Sequence, residues 1–201
     1  MVVTTLFHLV RHATHGCLGK VLLGRMPGVT LAEEGHRQAC SLARHFSGQQ
    51  IAAIQSSPRE RAMETAAPIA RMSNRPLDVA DAIDEIDMGE WTGRSFAALR
   101  SDPDWQLWNA RRAEVRPPNG ESMLELQRRT VHHLNDMRSA HPGARIVLVS
   151  HAEPIRALAL HCFGMPLSDF ARIEIAPASV TTIAVGEQTW SLLSLNEAVT
   201  A

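Results

Sequence analysis

Two histidines in this 201-residue chain follow closely on short apolar segments. Arg11 and His12 come directly after residues 6–10, and His151 comes two positions after residues 146–149. Short apolar segments bounded by polar residues are typical of buried strands, and open α/β sheets bind ligands at the carboxyl ends of such strands. A single polar pair of this kind also occurs at an ordinary strand end, where its side chains are solvated and have no function. Two of them, on parallel central strands, would place a cation and two imidazoles at one sheet edge, which suits phosphate chemistry.

A third apolar segment, residues 51–54, leads into a predicted helix at about residues 58–72. Arg61 lies in the first turn of that helix and therefore at the same edge of the sheet. The N-terminus of a helix attracts anions through its free backbone N–H groups. Arg59 is the alternative, and its position two residues earlier predicts that only one of the two arginines faces the site.

Several segments in a fixed order resemble motifs of the histidine phosphatase superfamily, which has the phosphoglycerate-mutase-like fold. The resemblance covers nearly the whole chain, and the ordered set is more specific than any single motif. The matching segments are residues 7–12, 30–39, 57–66, 85–93, 149–157 and 178–181.

The resemblance implies a role for each of five residues. His12 is the implied nucleophile, which forms a phosphohistidine, and a neutral imidazole can do so if its other nitrogen is held as a donor. Arg11, Arg61 and His151 are the implied phosphate-binding groups, since guanidinium forks match phosphate geometry. Glu85 is the implied general acid. His12, Glu85 and His151 are thus the catalytic candidates, and the resemblance implies no metal and no cofactor.

A general acid that works near neutral pH needs a raised pKa, which burial or an anionic neighbour can supply. Asp84, Asp87 and Glu90 are alternatives within the same loop. The position of Glu85 ahead of Gly89 favours Glu85.

Four positions depart from the family pattern. Ala13 stands where glycine is usual, and Leu18 stands where an asparagine often lies. His15 either lines the pocket or is an exposed loop residue. Glu153 is expected to begin a helix, where a carboxylate is favourable; if it faced the pocket it would repel phosphate and shape specificity.

The favoured function is hydrolysis of a small phosphomonoester through phosphohistidine. The alternatives are a phosphoglycerate-mutase-type phosphoryl transferase and a non-catalytic protein that binds a phosphorylated ligand. Mutases of the family tend to be longer, and the presence of His12 and Glu85 argues against a binding-only protein. Residues 77–119 are expected to select the substrate, with the tryptophans there as packing anchors. The candidates in this segment are Trp91, Trp105, Trp108, Arg94, Arg111 and Arg112.

The composition excludes several other classes of protein. The net charge of −1 provides no basic field for nucleic acid or an anionic membrane surface. Three cysteines without a close pair argue against a disulfide framework or a zinc site. No signal peptide and no apolar segment of membrane-spanning length is visible, which predicts a cytoplasmic protein. A small-molecule partner is expected, and homo-oligomerisation stays open.

Strand and helix signals alternate along the chain, with further helices at about residues 31–46 and 121–140, another beginning near residue 154, and strands at 180–185 and 190–193. This alternation predicts an α/β fold, a three-layer α/β/α sandwich with a mostly parallel central sheet. We expect a single domain over residues 1–201, in which a helical and loop insertion at about residues 77–119 lies over the active site.

Two helix starts carry capping signals. Thr30 and Glu33 predict a capping box for the first helix. For the second helix, Ser57 is the expected N-cap, Pro58 the first helical residue and Glu60 the capping-box partner.

Overall fold

Six strands form one mixed sheet in the computed structural model, which describes residues 3–199. The strands are β1 (Thr5–Arg11), β2 (Ile51–Ser56), β3 (Asp78–Val79), β4 (Arg145–Ser150), β5 (Ser179–Val185) and β6 (Trp190–Ala198). The α-helices are α1 (Glu33–Phe46), α2 (Glu60–Ser73), α3 (Phe96–Leu99), α4 (Pro103–Ala110), α5 (Met123–Ala140) and α6 (Ala152–Phe163).

The order of strands across the sheet is β3-β2-β4-β1-β5-β6. The first four are parallel to one another, and β5 pairs antiparallel with both β1 and β6. Along the central β1–β4 pair, Arg11 lies opposite Ser150. The two apolar segments that end in histidines are therefore adjacent parallel strands, which confirms the prediction that both histidines lie at one edge.

The side chains of β4 alternate between two cores, one on each face of the sheet. Val147 and Val149 pack with apolar residues of α1 and α2, whereas Ile146 and Leu148 pack with those of α5 and α6. Successive side chains of a strand point to opposite faces, so a strand covered on both sides is apolar throughout. The predicted three-layer sandwich is confirmed.

A third apolar cluster joins the segment after β3 to the start of α5. Trp91 and Trp108 are both buried in it, and Trp105 lies against both rings. Met123 and Leu126 of α5 complete this contact. The three tryptophans therefore fix the segment to the body of the protein, as expected for packing anchors.

The predicted capping box of α1 is wrong. The helix begins at Glu33, its N-cap is Ala32, and no side chain caps it. The N–H of Leu31 donates instead to the carboxylate of Glu64 on α2 at 2.7 Å. This tertiary hydrogen bond fixes the chain before the helix and leaves Thr30 outside it.

The predicted start of α2 is also wrong, because both capping side chains have other partners. Ser57 and Pro58 precede the helix, which begins at Glu60. The hydroxyl of Ser57 donates to Asp84 at 2.8 Å, and the carboxylate of Glu60 accepts from the N–H of Gly28. The serine is thereby part of the site rather than part of the helix.

Two other helix starts differ slightly from the prediction. The long helix α5 begins at Met123, where Ser122 and Glu125 form a complete capping box. The following helix, α6, begins at Ala152, two residues earlier than expected.

Candidate active site

A cavity of about 170 Å³ lies at the carboxyl end of β1. The polar groups that line it come from the end of β1 and the loop after it, from α2, from the loop after β3 and from the first turn of α6. They are Arg11, His12, His15, Arg61, Glu85 and Glu153.

His12 is almost completely buried, at 3% exposure. Its Nδ1 lies 2.9 Å from the carbonyl oxygen of Ala13, which assigns a proton to Nδ1 and leaves a lone pair on Nε2. Burial, followed by the nearby His151, Arg61 and Arg11, holds the pKa of His12 well below its usual value. The imidazole is thus neutral and has the tautomer that a nucleophile at Nε2 requires.

Arg11 and Arg61 use only part of their hydrogen-bonding capacity. Arg11 donates to the carbonyl of Ile175, and Arg61 donates to the carbonyl of Gly24 and to Nδ1 of His151. Nε of Arg11 and both Nε and Nη1 of Arg61 are buried without a partner among residues 3–199. Buried polar groups are normally paired, so these donors around His12 suit an anion with several oxygens.

His151 belongs to a buried chain of hydrogen bonds. Its Nδ1 accepts from Arg61 at 3.2 Å, which leaves the proton on Nε2, 2.7 Å from the hydroxyl of Ser57. That hydroxyl donates to the Oδ1 atom of Asp84. Burial is the main cause that lowers the pKa of His151 to about 3. The ring of His151 lies 5.1 Å from that of His12, measured between centroids.

Among residues 3–199, Glu85 is the carboxyl group with a strongly raised pKa. Burial is the main cause and the nearby Glu153 the second, and together they raise the pKa of Glu85 to about 7. Its Oε1 accepts only from the N–H of Ile86 among residues 3–199. The side chain lines the cavity and can hold a proton near neutral pH.

The three alternative acids of this loop have other partners. Asp84 accepts from Ser57 and from the N–H of Glu85. Burial would raise the pKa of Asp84, but the nearby His151 and these two hydrogen bonds outweigh burial and hold that pKa below the usual range. Asp87 accepts from the N–H of Gly89. The remaining acid, Glu90, accepts from the side-chain amide of Asn119. The geometry therefore favours Glu85.

The two candidate arginines after β2 diverge, as expected. Arg61 lines the cavity, whereas Nε of Arg59 lies 3.1 Å from Asp84 and its Nη1 donates to the carbonyl of Arg25.

No sequence pattern indicated the charged cluster that holds the backbone of the Glu85 loop. Arg129 of α5 donates to the carbonyls of Ala82, Asp84 and Glu85, and forms a bidentate pair with Glu121. Arg129 lies more than forty positions after the loop that it binds, so local spacing carries no signal of this contact.

Arg25 also binds the backbone of this loop. It donates to the carbonyl of Glu85 at 2.8 Å and to Glu121 at 3.0 Å. Two arginines thus converge on the backbone carbonyl of the candidate acid.

The departures from the family pattern lie in or beside the cavity. His15 is buried and lines it, with its ring 5.2 Å from that of His12 between centroids, and Leu18 lies at the exposed rim. His15 therefore lines the pocket, which was one of its two predicted placements. Ala13 needs no positive φ, and its N–H donates to Thr65.

Glu153 lies in the first turn of α6, as expected, and it also faces the cavity. Its Oε1 accepts from Arg112 at 3.0 Å and from Arg156 at 2.7 Å. The other two candidate arginines of the preceding segment, Arg94 and Arg111, pair with acids outside the cavity.

Within residues 3–199, no three histidine, cysteine or acidic side chains are grouped so that they could hold a metal ion. Across the same part of the chain, no helix has the length and apolarity needed to cross a membrane.

Comparison with known proteins identifies the family. The family model described as histidine phosphatase superfamily (branch 1) matches residues 7–198. The chain belongs to the histidine phosphatase superfamily. Phosphoserine phosphatase 1 of Hydrogenobacter thermophilus is 32% identical to it over 179 residues, which cover 87% of this chain and 85% of that protein. A probable phosphoglycerate mutase of Cronobacter sakazakii is 28% identical over 186 residues, 91% of this chain and 86% of that protein.

Solved structures agree with this histidine phosphatase fold. A mycobacterial glucosyl-3-phosphoglycerate phosphatase superposes with a TM-score of 0.87 at 22% identity, over 97% of this chain and 100% of that one. The resemblance read from the sequence motifs, the fold and the enzyme class that it implied are confirmed.

Proposed function

We propose that this histidine phosphatase hydrolyses small phosphomonoesters through a phosphohistidine formed on His12. The observation that carries the proposal is the group of buried guanidinium donors on Arg11 and Arg61 that have no partner among residues 3–199 and lie around a neutral imidazole. A phosphoryl group offers the oxygens that these donors lack, and its negative charge offsets their desolvation.

In the first step, Nε2 of His12 attacks phosphorus and the bond from phosphorus to the ester oxygen breaks. Glu85 gives its proton to the departing oxygen, which leaves as an alcohol. The raised pKa of Glu85 keeps that proton available near neutral pH. Arg11 and Arg61 stabilise the charge on the transferring group.

In the second step, a water molecule attacks the phosphorus of phosphohistidine. Glu85, now a carboxylate, accepts the proton of that water, and the bond between Nε2 and phosphorus breaks. Inorganic phosphate leaves, His12 returns to the neutral imidazole and Glu85 is again protonated. The one carboxyl group thus serves as acid and then as base.

His151 is proposed to bind the phosphoryl group in its protonated form. Its Nδ1 accepts a hydrogen bond from Arg61 and therefore lies among the phosphate-binding donors. The negative charge of a bound phosphoryl group would raise the pKa of His151, and Asp84 would support the resulting imidazolium through Ser57. Nδ1 would take up a proton from solvent, Nη2 of Arg61 would turn from His151 to the phosphoryl group, and Nδ1–H would then donate to a phosphoryl oxygen.

The size of the cavity supports a small substrate. Its volume of about 170 Å³ is below the roughly 300–1,000 Å³ of most drug-sized ligand pockets. The net charge of −1 also favours a small molecule over a nucleic acid. Phosphoserine, named in the relative from Hydrogenobacter thermophilus, is a reasonable first test substrate.

The test is hydrolysis of a panel of phosphomonoesters with a chelator present, together with quenching in alkaline denaturant, in which phosphohistidine is stable, to detect it by mass spectrometry. We expect chelator-insensitive phosphate release and a phosphorylated peptide that contains His12; both are lost in His12→Ala. His132→Ala is the matched control, because His132 is exposed on α5. Activity that survives in His12→Ala, or that the chelator abolishes, would contradict the mechanism.

Because one relative is named as a probable phosphoglycerate mutase, a further assay must distinguish hydrolysis from phosphoryl transfer. With 3-phosphoglycerate as substrate, phosphate release should exceed formation of the 2-isomer. The opposite result would assign the chain to phosphoryl transfer between hydroxyl groups.

A further inference from the structure

The side chain of Glu153 lines the cavity, and its two carboxylate oxygens differ in their hydrogen bonding. Its Oε1 accepts from both Arg112 and Arg156. Its Oε2 is buried and has no hydrogen-bond partner among residues 3–199. A buried acceptor is normally paired, so Oε2 is suited to a donor that arrives with a ligand.

The position of Glu153 is fixed by the arginine that binds it. The guanidinium of Arg112 lies between the rings of Trp108 and Phe170, at 3.9 and 3.8 Å from their centroids. Its Nη2 also donates to the side chain of Asn109 at 2.8 Å. Glu153 is therefore held at a constant place by a side chain that is itself fixed.

The charge of Glu153 is also fixed. Burial opposes ionisation, but Arg112 and Arg156 outweigh it and hold the pKa of Glu153 below its usual value. The group is consequently an acceptor only, since an ionised carboxylate has no proton to donate.

The rest of the cavity wall beyond the phosphate-binding groups is largely apolar. The apolar side chains are Leu18, Val21, Leu22, Leu23, Met88 and Phe96. Glu85 and Glu153 line the same small cavity. A leaving group whose ester oxygen meets Glu85 therefore shares that cavity with Glu153.

We propose that Oε2 of Glu153 accepts a hydrogen bond from a hydroxyl or ammonium group on the substrate's leaving group, and that it disfavours a carboxylate at the same place. The inference rests on the proposed function for one point, that the phosphoryl group occupies the donors of Arg11 and Arg61. Glu153 then selects among phosphomonoesters according to the chemical group at the far end of the leaving group.

The test compares four esters of equal length that differ at the distal group: 2-aminoethyl, 2-hydroxyethyl, propyl and carboxymethyl phosphate. Their dissociation constants are measured by calorimetry with His12→Ala, so that the result does not depend on turnover. The aminoethyl and hydroxyethyl esters are expected to bind about 10-fold more tightly than the propyl ester, as for a hydrogen bond to a charged group. The carboxymethyl ester should bind most weakly.

In the double variant that carries His12→Ala and Glu153→Gln, the ratio of aminoethyl to carboxymethyl affinity should be lower by about 10-fold or more. Glutamine is neutral and can also donate a hydrogen bond. The control is Glu187→Gln, which makes the same charge change at an exposed position in the turn between β5 and β6. An unchanged ratio in the Glu153 variant would overturn the proposal. So would equal affinities for the aminoethyl, hydroxyethyl and propyl esters in the His12→Ala parent, a result that needs no Glu153 variant to fold.

The two proposals fail in different ways. An intact chain that hydrolyses no phosphomonoester of the panel contradicts the proposed function, while the affinity ratios still decide the role of Glu153.

Discussion

Burial acts on His12 and Glu85 in the same way and prepares them for different roles. Removal from water favours the neutral form of each, so it lowers the pKa of the imidazole and raises that of the carboxyl group. A neutral imidazole has a lone pair for attack, and a neutral carboxyl has a proton for the leaving group. One physical cause thus produces both a nucleophile and an acid within a single cavity.

The role of Glu85 as acid predicts a dependence on the leaving group. In Glu85→Gln, kcat for an alkyl phosphate should fall by about 10²–10⁴-fold, because the alkoxide no longer receives a proton. The first turnover of p-nitrophenyl phosphate needs little protonation, so rapid-mixing experiments should show a burst of nitrophenolate followed by slow hydrolysis of phosphohistidine.

The matched control for this prediction is Glu90→Gln in the same loop, whose carboxylate contacts Asn119. Its kcat should stay within about threefold of the parent value, as expected for a surface substitution of small effect. Equal losses with alkyl and aryl esters in Glu85→Gln, with no burst, would remove Glu85 from the role of general acid.

The raised pKa of Glu85 predicts the alkaline limb of the pH profile. Only protonated Glu85 can donate, so kcat/KM for an alkyl phosphate should fall as pH rises through about 7. Glu153 is the second cause of that shift, and Glu153→Gln removes its negative charge. The limb should therefore move to lower pH in this variant, and stay in place in Glu187→Gln. If the limb instead moves to higher pH, the negative charge of Glu153 is not a cause of the raised pKa of Glu85.

At the scale of the element, the loop that carries Glu85 has little regular structure of its own and is positioned from outside. Arg129 and Arg25 bind its backbone carbonyls, as described above. Gly89 has a φ of 51°, and an added Cβ there would lie 2.0 Å from the carbonyl oxygen of Pro118. The loop therefore depends on one close backbone approach and on two arginines whose charge is balanced by Glu121.

Arg129→Lys tests whether this support sets the position of the acid. A lysine cannot reproduce the bidentate pair with Glu121 together with the hydrogen bonds to three carbonyls. We expect the free energy of unfolding to fall by about 1–3 kcal/mol, measured by urea denaturation. We also expect kcat to fall more for an alkyl phosphate than for p-nitrophenyl phosphate, because Glu85 is displaced from the leaving group.

Arg128→Lys is the control, since Arg128 is the exposed neighbour on the same helix. It should change neither quantity appreciably. Equal proportional losses with both substrates in Arg129→Lys would assign that arginine to stability alone.

At the scale of the whole molecule, the sequence predicted the groups that strand ends place together. Arg11 and His151 could be located because each follows an apolar segment and parallel strands share one carboxyl edge. Arg61 could be located because a helix follows β2 at that edge. The tryptophans were correctly expected to be anchors. All of these predictions use short-range patterns and the general rules of α/β sheets.

The features that could not be predicted depend on contacts between distant segments. Ser57 has the sequence context of an N-cap, yet its hydroxyl binds Asp84, which is 27 positions further along the chain. Arg129 contacts a loop more than forty positions earlier in the chain. Local sequence preference does not decide the contacts of a side chain where a buried charged group forms a stronger hydrogen bond with it. Such contacts between distant segments are known only from the folded structure.

The same long-range assembly predicts that a bound anion stabilises the whole protein. The phosphate-binding donors come from β1, α2 and the end of β4, so the site exists only in the folded chain. Inorganic phosphate at ten times its dissociation constant should add about 1.4 kcal/mol to the free energy of unfolding. The melting temperature, measured by calorimetry, should rise by about 3–5 °C. Arg61→Gln should lose this rise, and Arg71→Gln, at an exposed position on the same helix, should keep it. A rise of equal size in both variants would show that phosphate acts as a general salt and does not bind at Arg61.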